Sequence, residues 1–311
     1  MTKPDDSTLD PDDLRAVEQR ARKTLDRASA WGRFPTPVED IVAAAKLSLA
    51  PTNMFDPARI LAFVAGKTAL AAHRVKSAIS KVLGLYDAAE KVIHIDGTVG
   101  ESKQNFLKLH ETGHHEIPTH KKLFLIFQDC EKTLSPETAE LFEREANNFA
   151  RFALFQDDAY AKHAADCKFE IKTPMNLAKV FGASVYASMR EFVRTNPRAC
   201  VVYVLEPIEF VQGAGVRALV RRIESSPSFA REFGHPTDAV ITADHQLGQV
   251  LPVGRRMTRP VSVVGVDRNG KKHECVAEAF KTPRNVFVLL YPIKDLTTTT
   301  VILPTGFKRA I

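Results

Sequence analysis

At 311 residues, with 44% apolar and 26% charged side chains, the chain has the proportions of a soluble globular protein, long enough for two domains or one with a substantial extension. No run of about 18 apolar residues is present, which argues against a membrane span. The opening Met-Thr-Lys-Pro-Asp-Asp lacks the apolar core of a signal peptide, so a cytoplasmic location is expected.

The net charge of +6 is unevenly placed: residues 197–311 hold 16 Lys and Arg against 10 Asp and Glu, so residues 1–196 sum to zero. A bias of that size serves solubility more often than nucleic-acid binding. Cys130, Cys167, Cys200 and Cys275 are scattered without paired metal spacing and read as reduced structural thiols.

In chain order, Asp10-Pro11 opens a helix over residues 10–30, with Leu14, Val17, Ala21, Leu25 and Ala28 on one face and Trp31-Gly32 at its end. Thr36-Pro37-Val38-Glu39 reads as a capping box for a second helix carrying Ile41, Val42 and Ala45. Residues 57–77 are expected to begin as helix. Residues 81–86 and 91–95 read as two strands about the turn Asp87-Ala88-Ala89-Glu90, with Tyr86 and His94 on the hairpin.

A third helix runs from Ser102, its expected N-cap, with Phe106, Leu109, Gly113 and Ile117 at helical spacing and Pro118 as its stop. Gly113 weakens that helix, which predicts a packing reason such as the close approach of another backbone. Residues 121–135 are expected to be an apolar helical segment followed by a polar loop. Ser135-Pro136 then caps a helix whose apolar residues Phe142, Ala146, Phe149 and Ala153 are spaced 4, 3 and 4.

From Thr173 two short helices about Gly182 have a helix-turn-helix look, the second offering Arg190 and Arg194. Contact with DNA through residues 173–194 is one reading, and packing of a helical hairpin is the plainer one. After Pro197 the pattern predicts a buried strand at 201–205 and an amphipathic helix at 216–223, with Arg217, Arg221 and Arg222 outside. A hairpin over 261–266 and 274–279 about Asn269-Gly270, and strands at 286–290 and 299–303, complete the chain.

The chemistry concentrates in His110-Glu111-Thr112-Gly113-His114. Histidines four apart share one helical face, close enough for both imidazoles to bind one metal ion, and the glutamate between them can take a proton from water. Two histidines need a third protein ligand, leaving one position open. His115-Glu116 points about 100° away and reads as support or surface. The better candidate is Glu143, with Asn147 one turn on as a hydrogen-bonding support for the histidines. The plainer reading makes Glu143 and Glu145 solvated charges on an amphipathic helix.

Gly84-Leu85-Tyr86-Asp87, Val92-Ile93-His94-Ile95, the His-Glu-x-x-His helix and Glu143-Arg144-Glu145-Ala146-Asn147-Asn148-Phe149-Ala150 together resemble the ImmA/IrrE family of metallopeptidases, over roughly Pro35 to Phe155. The resemblance implies one Zn²⁺ per chain on His110, His114 and Glu143, with Glu111 as general base. It also implies cleavage of repressor proteins that switch phage, mobile-element or stress genes. One departure stands out: where relatives continue into an apolar Leu-Leu-Met-Pro-like stretch, this chain reads Leu154-Phe155-Gln156-Asp157-Asp158. An edge strand beside such a helix can hold an extended substrate, and Tyr86 then becomes a candidate for stabilising an oxyanion.

The expected fold is α+β: a mainly helical zincin-like peptidase core with a small hairpin, helix-turn-helix-like helices, then a C-terminal α+β module. The domains fall at 1–165 for the peptidase with its N-terminal helices, 166–196 for the helical linker, and 197–311 for the C-terminal module. That module suits a sensor gating the peptidase. The competing reading is a DNA-binding regulator without proteolysis, using the helix-turn-helix-like segment and the basic C-terminal part.

Overall fold

The computed structural model describes residues 6–50, 84–87, 90–120, 136–213 and 215–293. The expectations for residues 57–77, 121–135 and 299–303, and the cap at Ser135, lie outside them. The chain divides into two compact units, Lys3–Phe192 and Val193–Ile311.

The first unit is built from helices around a small sheet. Helix α1 (Pro11–Arg27) starts at the expected proline, buries Val17, Ala21 and Leu25, and stops short of Trp31. Helix α2 (Val38–Ala44) buries Val38, Ile41 and Val42. The expected capping box does not form: Pro37 is the N-cap, without a side-chain hydrogen bond, and the buried Thr36 hydroxyl donates instead to the Leu154 carbonyl at 2.7 Å. The hydroxyl is spent on a tertiary partner because that carbonyl, at the end of a helix, has no partner of its own inside the helix.

Strands β1 (Ser48–Leu49), β2 (Gly84–Asp87) and β3 (Val92–Ile95) form a sheet in the order β1-β3-β2, with β2 and β3 antiparallel as the sequence predicts. Among the described residues β2 is an edge strand. Helix α3 (Glu101–Glu116) carries the His-Glu-x-x-His motif. Its N-cap is Gly100 rather than Ser102, which falls in the first turn. The helix ends before Pro118, and residues 118–120 form a fresh helical turn. A proline is well placed to open such a turn, since the amide hydrogen it lacks has no helical acceptor there.

Helix α4 (Pro136–Leu154) buries Phe142, Ala146, Phe149 and Ala153, the stripe read from the sequence. Past its end, Gln156 is fully buried: its carbonyl accepts from the Gly32 N–H at 2.7 Å, and its amide donates to the Arg33 carbonyl at 2.8 Å. The polar departure from the family's apolar stretch is thus absorbed by pairing with the α1–α2 connection. Helix α5 (Ala159–Ala165) buries Tyr160, whose hydroxyl donates to the Ser188 carbonyl at 2.8 Å. Helices α6 (Lys172–Phe181) and α7 (Val185–Arg194) are joined through Gly182, whose φ of 68° is left-handed.

Among the described residues the second unit holds a seven-stranded antiparallel sheet. Its members are β4 (Val201–Leu205), β5 (Glu209–Val211), β6 (Gly215–Ser225), β7 (Val240–Thr242), β8 (Val261–Val266), β9 (Lys272–Lys281) and β10 (Val286–Pro292). The order is β5-β6-β4-β10-β9-β8, with β7 also pairing β6. Helix α8 (Pro227–Phe233) is capped by the Ser226 hydroxyl and buries Phe229. The hairpin at Asn269-Gly270 forms as expected between β8 and β9, its turn held by the Asp267 carboxylate accepting from the Asn269 and Lys271 amides.

The amphipathic helix expected at 216–223 is instead the strand β6. Ala218, Val220 and Arg222 are buried while Arg217 and Leu219 are exposed, a period of two. An eight-residue run with three arginines fits either period, and partners decide it: β5 and β7 flank β6 on opposite edges at Arg217, and β4 pairs with its C-terminal half. No described helix is long and apolar enough to cross a membrane.

Candidate metal centre

Helices α3 and α4 lie against each other, and Gly113 permits the approach. A Cβ at Gly113 would stand 3.1 Å from Phe149 Cβ and 3.2 Å from Phe149 Cγ. The expected packing reason is real, but the neighbour is a side chain rather than another backbone.

That approach brings Glu143 of α4 to the two histidines of α3. His110 Nε2 and His114 Nε2 are 3.2 Å apart, Glu143 Oε2 is 3.3 Å from His110 Nε2, and Glu143 Oε1 is 3.5 Å from His114 Nε2. Among the described residues this is the cluster that could hold a metal ion. Its dimensions fit one: a tetrahedral ion with bonds of about 2.0–2.1 Å separates its ligand atoms by about 3.3 Å. The histidines are buried, whereas the Glu143 side chain is 60% exposed, so the cluster opens toward solvent on the carboxylate side.

The proton positions follow from the neighbours. Asn147 donates through Nδ2 to the Asp6 carbonyl at 2.9 Å, so its Oδ1 is the acceptor for His110 Nδ1 at 3.1 Å. The Nε2 lone pair of His110 is left facing the cluster. Asn147 thus lies beneath His110, and the N-terminal segment orients its amide. Next to it, Asn148 donates to the Ser7 carbonyl at 2.7 Å.

Burial dominates the acid–base properties of the cluster as it stands without metal. It works against a charge on His110, but Glu143, Glu111 and Asn147 together hold this histidine above its usual range. Burial pushes His114 down to about 4, aided by His110 and His120 and opposed by Glu143. Desolvation also works against the Glu143 charge, and hydrogen bonds from the two histidines overcome it, holding that carboxyl well below the usual range. Glu111 is pushed up to about 7 by burial, with Glu143 adding to the rise, against His110 and a hydrogen bond from the Tyr86 backbone amide.

Tyr86 lies on the edge strand beside α3. Its hydroxyl is 2.5 Å from His115 Nδ1, so in this structure it is engaged by a histidine. His115 is buried rather than on the surface, and Glu116 pairs with Arg27 at 2.7 Å. The proposed DNA-reading arginines are held within the chain: Arg190 pairs with Asp6 at 3.1 Å and Arg194 with Glu224 at 2.9 Å.

Sequence reasoning missed His120. It is fully buried, stacks on Phe142 at 3.9 Å, and lies 3.0 Å from His114 Nδ1 through its own Nδ1. Its Nε2 meets Glu145 Oε2 at 2.6 Å, so Glu145 is not a solvated charge. Glu145, two residues from Glu143 on α4, was a faint signal, but nothing in the spacing alone joins it to a histidine 25 residues earlier.

Two facing helices that present His-Glu-x-x-His and a glutamate to one point define a metallopeptidase-type site. The family comparison agrees: residues 60–188 match the IrrE N-terminal-like domain model of the M78 peptidases, in line with the resemblance to the ImmA/IrrE metallopeptidases. No curated protein matches the chain. Among solved structures, a Mycobacterium tuberculosis transcriptional regulator is similar at 12% identity and a TM-score of 0.47, covering 91% of this chain and 76% of that one.

Proposed function

We propose that this protein is a zinc-dependent endopeptidase that cuts a protein substrate of the repressor class, as part of a stress-response or mobile-element switch. The observation that carries the reading is the triangle of His110 Nε2, His114 Nε2 and the Glu143 carboxylate, with sides of 3.2, 3.3 and 3.5 Å. Nitrogen and carboxylate donors in a three-ligand set are the signature of a catalytic rather than a structural zinc site. The family likeness supports a peptide bond as the target, and the repressor class is what the resemblance to the ImmA/IrrE metallopeptidases implies.

In this reading His110, His114 and Glu143 hold the ion, which when bound supplies a Lewis acid for the attack of water on an amide carbonyl. Glu111, buried next to His110, takes the proton from the attacking water and delivers it to the leaving amine nitrogen. Asn147 keeps the His110 ring turned so that Nε2 faces the ion. The edge strand β2 aligns an extended segment of substrate by strand addition. The Tyr86 hydroxyl, which pairs with His115 in this structure, is the candidate for stabilising a developing oxyanion.

The test is Glu111→Gln, with new protein N-termini identified by mass spectrometry in cells expressing either form. Cleavages made by the wild type and lost in the variant, with zinc still bound by both, are expected. Cleavages retained by the variant would remove Glu111 from the base role. No observation favours the DNA-binding alternative, since Arg190 and Arg194 are already ion-paired.

A further inference from the structure

The metal-facing nitrogen of His114 is Nε2, so its Nδ1 must carry the ring's remaining hydrogen and needs an acceptor. In this structure that partner is His120 Nδ1 at 3.0 Å, in a pocket where His120 is fully buried. Two imidazole nitrogens at that distance share one hydrogen. If His114 donates, His120 Nδ1 accepts, and the only hydrogen left on His120 is at Nε2. That nitrogen points at Glu145 Oε2, 2.6 Å away, which is an acceptor. Each assignment forces the next, and every nitrogen in the series ends with a compatible partner.

We infer that His120 and Glu145 are positioning residues for the metal centre: a one-directional hydrogen-bond chain from the Glu145 carboxylate through His120 fixes the tautomer and angle of His114. Neither touches the metal or the substrate. The two histidine ligands are then supported unequally. His110 rests on the neutral amide of Asn147, whereas His114 is backed by a carboxylate one imidazole away, which makes its Nε2 the stronger donor. The stack of His120 on Phe142 at 3.9 Å keeps the relay ring in plane, and Phe142 precedes Glu143 directly, so one turn of α4 sets both the ligand and the relay.

This inference rests on the proposed metal site, and the experiment separates the two. Zinc affinity of the full chain is measured by competition with a chromophoric chelator for wild type, His110→Ala, His120→Phe and Glu145→Gln. Thermal unfolding of the metal-free proteins serves as the fold control. His120→Phe keeps the stack on Phe142 and removes both nitrogens; it should bind zinc about 10–100-fold more weakly. Glu145→Gln keeps an acceptor for His120 and removes the charge; it should lose less than His120→Phe but bind measurably more weakly than wild type. Nitrogen-15 spectra of the zinc-loaded wild type should show His114 protonated at Nδ1 and His120 at Nε2.

His120 protonated at Nδ1, or wild-type affinity in His120→Phe alongside a weakened His110→Ala, would overturn the relay and leave the metal site standing. Wild-type affinity in His110→Ala would overturn the metal site itself, and the relay with it.

Discussion

Replacing Gly113 by alanine sets two effects of opposite sign against each other. In an isolated helix the change would gain about 1 kcal/mol from propensity. Here the new Cβ would lie 3.1 Å from Phe149 Cβ and 3.2 Å from both Cγ and Cδ1, where ordinary contact begins at 3.4 Å. Phe149 is fully buried, and its Cβ is fixed to the backbone of α4, so a rotamer change gives no relief. The helices must separate by about 0.3 Å, an overpacking that costs about 1–3 kcal/mol. The balance is a loss of about 1 kcal/mol.

The same displacement moves Glu143, which shares α4 with Phe149, away from the histidines of α3. A metal site needs its ligand distances within about 0.2 Å, so a displacement of this size should weaken zinc binding. Urea denaturation of the metal-free protein and chelator competition read the two effects separately. A variant stabilised by about 1 kcal/mol with wild-type zinc affinity would refute the argument, because it would show that the two helices yield without cost.

Other perturbations test the remaining parts of the arrangement. Gln156→Leu removes the partner of the Gly32 amide and of the Arg33 carbonyl, and should destabilise the protein by about 1–3 kcal/mol in urea unfolding; wild-type stability would show that water replaces both bonds at no cost. Glu143→Ala removes the one acidic corner of the triangle, and zinc affinity should drop at least about 100-fold by the same chelator competition. Stripping zinc with a chelator should lower the melting temperature, since a ligand at 100 times its dissociation constant stabilises by about 2.7 kcal/mol; identical melting curves with and without zinc would count against a native-state site.

Local patterns in the chain were enough to bring out the motif and the helices that carry it. The four-residue spacing of His110 and His114 places both rings on one face of a helix whatever surrounds it, and the 4-3-4 stripe of α4 fixes which side of that helix is buried. The β2–β3 and β8–β9 hairpins were likewise legible, because turn residues and short apolar runs act within a few positions. The family likeness joined the two helical motifs, which periodicity alone left as an open choice between ligand and solvated charge.

What the tertiary structure decided is every choice that depends on a distant partner. Strand β6 is a strand because β4, β5 and β7 satisfy its edges, although its sequence also fits a helical period. Thr36 left its capping role for the Leu154 carbonyl, and Gln156 turned an apparent defect into a buried clamp on the α1–α2 connection. His120 reached His114 only because the turn after Pro118 folds back toward α4, where Glu145 waits. Helical and strand periods act over a few residues, so the chain encodes them directly. A hydrogen bond between residues 25 or more apart exists only once packing has removed water and left each buried polar group a single partner.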